Sequence, residues 1–135
     1  MYINKTQIRV RYSETDKMGY CYYGNYAAYF EVARVESLRN LNISYKELED
    51  EGILLPVLDF SIKYYIPAYY DDLLSIECVI TELPRSKIKF TYKTYNQNKE
   101  CINFAHTTLA FINKKTRKPI RCPEKLINKL IKYIK

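Results

Sequence analysis

The sequence predicts an α+β domain in which one long helix packs on a single curved antiparallel sheet. Three observations carry that reading. Residues 22–40 show helical spacing of apolar side chains, the second half of the chain alternates in the manner of strands, and those strands are joined by hairpin-length connections. Connections that short make neighbouring strands antiparallel. With 135 residues, 47% of them hydrophobic, the chain fits one domain with a sizeable core, residues 1–135.

The elements follow in order. A first strand is expected over residues 6–12, where Ile8, Val10 and Tyr12 alternate with charged residues. The polar-then-aromatic stretch SETDKMGYCY, with Gly19, reads as an extended loop. In the long helix, Tyr26, Phe30, Ala33, Ser37 and Leu41 recur on one face, Glu31, Arg34 and Arg39 face outward, and Asn25 helps to cap the start. A short second helix spans 44–52, with Ser44 and Glu47 as a capping box and Gly52 as its stop. A long alternating strand begins near Leu54 and runs toward Pro67, which favours an edge or a bend. Strands over 73–83, 87–96 and 101–112 follow, separated by LPRSK, NQNKE and NKKTRK. Pro123 opens a last helix with Leu126, Leu130 and Ile134 on one face.

Composition narrows the chemistry. Three glycines, with no GxGxxG or GxxxxGK[ST], leave no phosphate-cradling loop, and no G-x-S-x-G marks a serine nucleophile. The four cysteines are irregularly spaced without C-x-x-C, and are expected as free thiols in a reducing cytosol. A single histidine excludes a His-rich metal site, and no metal or cofactor is expected; His106 itself reads as a core or interface residue. No apolar run is long enough to span a membrane and no secretory signal stands at the N-terminus, so a cytoplasmic protein is expected. The net charge of +7 points to an anionic partner: nucleic acid, acidic lipid, or a polyphosphate ligand such as coenzyme A. The chain carries no nucleic-acid-binding motif. What remains is a carboxylate-driven reaction or simple binding.

One stretch is specific. Residues 11–26, RYSETDKMGYCYYGNY, place Asp16, Gly19, Tyr23, Asn25 and Tyr26 in the register of the 4-hydroxybenzoyl-CoA thioesterase family of hotdog proteins, which the chain resembles. The helix YFEVARVESLR, the segment YIPA followed by DDL, and KPIRCP before the last helix are similar to that family too. The resemblance implies a hotdog fold, a five-stranded antiparallel sheet wrapped around a central helix, and hydrolysis of an acyl-CoA. It implies that Asp16 acts as nucleophile or general base, and that the backbone N–H of Tyr23, at the helix start, polarises the thioester carbonyl. An unsatisfied donor at the positive end of a helix suits that role. Gly19 would turn the loop back; Gly24, Asn25 and Tyr26 would line the substrate site; Arg85, Ser86 and Lys87 would touch the nucleotide, with Arg121 a further candidate. Arg11 reads as structural.

The resemblance also implies a homodimer, with a homotetramer as an extension, because the family's sites lie between subunits. Burial of only about two-thirds of the unfolded surface in so short a chain favours association as well. Two other readings stay open: an acyl group on acidic acyl carrier protein as substrate, and a non-catalytic acyl-CoA binder.

Overall fold

The computed structural model describes residues 1–134. Strand β1 (Tyr2–Arg9) leads through a 3-10 turn (Tyr12–Glu14) to helix α1 (Asn25–Arg39) and the short α2 (Tyr45–Asp50). Then come β2 (Ile53–Leu54), β3 (Val57–Tyr64), β4 (Leu73–Ile80), β5 (Lys87–Tyr95), β6 (Cys101–Ala110), β7 (Ile112–Asn113) and α3 (Glu124–Leu130). The five long strands form one antiparallel sheet in the order β1-β4-β5-β6-β3, and β2 pairs with β7. This is the α+β arrangement that the sequence predicts.

Alternation in sequence becomes two faces in space. Leu74, Ile76, Cys78 and Ile80 of β4, with Ile88, Phe90 and Tyr92 of β5, point to the helix side and are buried. Tyr26, Phe30, Ala33 and Ser37 of α1 come down on them, with Leu41 just past the helix end. Phe30 is the hub: it stacks on Tyr92 with ring centroids 4.5 Å apart and meets Phe60 edge-on at 5.9 Å. The Ser44 hydroxyl accepts the Glu47 N–H at 3.3 Å, and Gly52 takes a positive φ of 87° at the stop of α2. Leu126, Leu130 and Ile134 all reach the core. The four cysteines are free thiols.

Several boundaries move, each for a local reason. β1 starts and ends earlier than expected, because its register is set by β4, where Tyr2 faces Ile80 and Arg9 faces Leu73. Past Arg9, the Arg11 N–H turns to the Glu14 carboxylate at 2.8 Å and coils the chain. α1 begins at Asn25 rather than 22, since residues 22–25 close a turn from the Asn25 N–H to the Tyr22 carbonyl at 3.0 Å. The long strand expected after Leu54 divides: β2 pairs with β7, and β3 ends where the N–H groups of Tyr65 and Ile66 both go to the Ile102 carbonyl.

Two side chains lie elsewhere than expected. Arg34 is 8% exposed, not outward, because Tyr45 of α2 and Leu126 of α3 close over that flank of α1. His106, expected in the core or at an interface, is exposed on the open face of the sheet and so lies outside the core, with Nδ1 3.4 Å from Ser61 Oγ.

The two sheet edges differ. β1 is backed by α1, and its Tyr2 is buried. β3 is bare: Leu58 and Tyr64 are 51% and 46% exposed, and its outer edge pairs with nothing among the described residues.

Candidate active site

The loop between β1 and α1 folds back on itself at Asp16. The Asp16 N–H donates to the Tyr20 carbonyl at 2.9 Å, the Gly19 N–H to the Asp16 carbonyl at 3.0 Å, and the Met18 N–H to Asp16 Oδ1 at 2.9 Å. This turn requires φ of +92° at Gly19, the left-handed region that glycine enters without strain. Thus Asp16 does stabilise a turn, as a loop aspartate often does. That uses one carboxylate oxygen; among the described residues the other accepts no hydrogen bond.

Asp16 lines a cleft of about 410 Å³, together with Tyr23 and Tyr26 of the helix start, Cys21, and Tyr64 and Tyr65 from the end of β3. The Cys21 N–H donates to the Ala68 carbonyl at 2.7 Å, which pins the loop to the segment entering β4. Tyr26 is buried against Tyr64, ring centroids 5.7 Å apart, and burial pushes its hydroxyl well above the usual phenol range. Burial also raises the Cys21 thiol, so it stays protonated near neutral pH and is a poor nucleophile. Asp16 is the acidic side chain lining this cleft, and among the described residues one of its carboxylate oxygens is uncommitted.

The start of α1 supplies donors. Among the described residues neither the Tyr23 nor the Gly24 N–H has a protein acceptor, as expected for the first orphan groups of a helix. Gly24 lets the chain pass close to the Tyr22 ring, from which a Cβ there would sit 2.6 Å. Asn25 does not cap the helix. Its side chain instead donates to the Glu14 carbonyl at 2.7 Å, tying helix start to loop.

Glu14 and Tyr29 escaped the sequence reading. The Tyr29 hydroxyl donates to the Glu14 carboxylate at 2.8 Å, and the Arg11 N–H and guanidinium reach it at 2.8 and 3.3 Å. Burial opposes ionisation of Glu14, but these three donors outweigh it and hold the carboxyl below its ordinary value. An acidic residue in a polar loop carries no signal of such a role, because the partner lies 15 positions away.

Arg85, Ser86 and Lys87 lie apart from Asp16. They are exposed at the turn leaving β4, whereas the Asp16 loop packs at the end where β4 begins. Eight strand residues separate the two ends, about 26 Å at the rise of an extended chain. The turn has its own groove, where Lys89 meets Glu82 at 3.6 Å, and Arg121 is next door because the Cys122 N–H donates to the Arg85 carbonyl at 2.6 Å. Among the described residues no group of three or more His, Cys, Asp or Glu side chains is gathered to hold a metal ion. No helix there is long and apolar enough to cross a membrane.

The profile of the thioesterase superfamily matches residues 18–102, more than half of the chain. The chain belongs to the thioesterase superfamily. The putative acyl-CoA thioesterase YneP of Bacillus subtilis is 33% identical over 121 residues, covering 90% of this chain and 88% of that one. The acyl-CoA thioester hydrolase YbgC of Escherichia coli is 31% identical over 120 residues, covering 89% and 90%. Among solved structures, a DHNA-CoA thioesterase of Staphylococcus aureus superposes with a TM-score of 0.87 at 34% identity, covering 98% of this chain and 84% of that one. The fold is therefore the hotdog fold, and the protein is a thioesterase acting on acyl-CoA thioesters.

Proposed function

We propose that hydrolysis in this thioesterase is carried by Asp16 and the backbone N–H of Tyr23. The supporting observation is that both residues line one cleft, and that among the described residues one Asp16 oxygen and the Tyr23 N–H at the helix start have no hydrogen-bond partner. As the thioester carbonyl is attacked, negative charge grows on its oxygen, and a preorganised donor at the positive helix end lowers that barrier. Removing one such donor costs about 2.7–4 kcal/mol in comparable sites. As general base, Asp16 takes a proton from water, which adds to the carbonyl carbon; the C–S bond then breaks, and the departing sulfur takes that proton from Asp16 and leaves as the thiol. As nucleophile, Asp16 forms an acyl anhydride and releases the thiol, and water cleaves the anhydride to restore the carboxylate. Tyr26 forms part of the wall against which the acyl group lies, while Gly24 and Asn25, outside that lining, shape and hold the helix start beside it.

The coenzyme A end is read through a second copy. β3 is the sheet edge without a covering helix, and its exposed Leu58, Phe60 and Tyr64 lead into the cleft. Antiparallel pairing of two β3 strands about a two-fold axis covers that edge. β3 runs from the level of Ile88, where Val57 faces Leu109, to the level of the cleft at Tyr64. The two-fold therefore sets the 85–87 turn end of one subunit beside the Asp16 cleft of the other, where Arg85, Ser86 and Lys87 would contact the nucleotide. A homodimer with two shared sites is the smallest competent unit, and a homotetramer is a dimer of such dimers. The net charge of +7 favours a second thioester source, acidic acyl carrier protein. Four free thiols support a reducing compartment, the cytoplasm, as its location.

The test is thiol release from short, medium, long and aromatic acyl-CoAs by wild type and Asp16→Ala. A fall of at least about a hundredfold in the folded mutant is expected. Turnover unaffected by the substitution places the chemistry elsewhere, and cleavage of carrier-bound but not CoA-bound thioesters selects the second substrate class.

A further inference from the structure

We infer that Glu14 is a positioning residue that sets the distance between the Asp16 carboxylate and the oxyanion donor. The inference rests on the reading that Asp16 and the Tyr23 N–H act together. Five hydrogen bonds converge on Glu14 from both halves of the site. Its backbone carbonyl accepts the Tyr22 N–H at 2.9 Å and the Asn25 side chain at 2.7 Å, the residues just outside Tyr23 and Gly24. Its carboxylate accepts the Tyr29 hydroxyl and the Arg11 N–H, both on Oε1 at 2.8 Å, and the Arg11 guanidinium on Oε2 at 3.3 Å.

Geometry makes this residue the joint. Asp16 stands two positions after Glu14 and is fixed on its far side by Tyr20 and Met18. The segment 22–25, which presents the free N–H groups, is tied back to the loop at both ends by the Glu14 carbonyl, through the Tyr22 N–H and the Asn25 side chain. Tyr29, one turn deeper in α1 and 3% exposed, anchors the Glu14 side chain to the buried face of that helix. Charge-assisted bonds of this kind are short and directional. Carboxylate and donor are thus measured off from one residue, and an error of about 1 Å between reacting groups costs on the order of a hundredfold in rate.

The oxygen assignment gives a sharp test. Glutamine in place of Glu14 keeps an oxygen at the Oε1 position, so the Tyr29 and Arg11 N–H bonds survive and only the exposed guanidinium contact goes. Steady-state rates on an acyl-CoA that the wild type cleaves are compared for Glu14→Gln, Glu14→Ala, Tyr29→Phe and Asp16→Ala, with thermal melts to confirm folding. Glu14→Ala is expected to lower kcat on the order of a hundredfold with KM little changed, whereas Glu14→Gln stays within about threefold of wild type. In the Asp16→Ala background, Glu14→Ala is expected to cost almost nothing further, because it acts through Asp16. A purely structural role lowers the residual rate in both backgrounds alike, and that outcome overturns the inference. So does a Glu14→Ala enzyme with kcat near wild type while Asp16→Ala is dead. If Asp16→Ala itself retains the wild-type rate, the site reading fails and the inference falls with it. Should Glu14→Ala not fold, Tyr29→Phe deletes one hydroxyl without disturbing packing and is expected to lower kcat on the order of tenfold; an unchanged kcat overturns the inference.

Discussion

Gly19 shows how a single backbone angle is written into the chain. Its φ of +92° closes the Asp16 turn, and a Cβ there meets no atom within 4 Å, so substitution is opposed by conformation and not by crowding. Gly19→Ala is expected to destabilise the fold by about 1–2 kcal/mol, read by chemical denaturation, and to lower kcat by loosening Asp16. Glu14 adds a pH dependence. Its carboxyl is held below the ordinary value of 4.5 in the folded state, so its contribution to stability is present above that value and disappears as pH falls through the lower folded value. Melting temperatures taken from pH 6 downward are expected to fall less steeply below about pH 4.5 in Glu14→Gln than in wild type. At this scale the sequence was half legible. Asp16, Gly19 and Tyr23 stand in a recognisable spacing, but Glu14, Tyr29 and the buried Arg34 owe their roles to partners far along the chain.

Among the elements, β4, β5 and β6 were legible almost to their ends, because alternation and short turns are local properties. β1 was not, since its start and finish are dictated by pairing with β4, and its run of charged and polar residues alternates equally well in several frames. The strand expected to run from Leu54 toward Pro67 ends at Tyr64 for a related reason. Apolar residues continue past Tyr64, but the hydrogen bonds of Tyr65 and Ile66 leave the ladder. Helix and sheet meet at Phe30, fully buried between Tyr92 and Phe60, and Phe30→Ala is expected to cost about 3–5 kcal/mol in denaturant melts. By contrast, Leu58→Asp on the bare face of β3 is expected to leave secondary structure intact while shifting sedimentation from dimer toward monomer and reducing activity at low protein concentration.

The whole molecule carries a polar flaw under the helix. Asn103 and Thr94 face each other across β5 and β6, both fully buried, and among the described residues neither Asn103 amide atom nor the Thr94 hydroxyl has a partner. Such orphans cost about 1–3 kcal/mol each, so Asn103→Leu is expected to be neutral or stabilising in thermal melts. The separation of the two ends of β4 has its own consequence in genetics. If each site takes Asp16 from one subunit and the 85–87 turn from the other, the two kinds of defect complement. An Asp16→Ala protein and an Arg85→Ala/Lys87→Ala protein, each inactive alone, form hybrid dimers in which one site carries both lesions and the other neither. Random exchange then restores about a quarter of the sites. Two null alleles of one gene would thus rescue each other in the same cell.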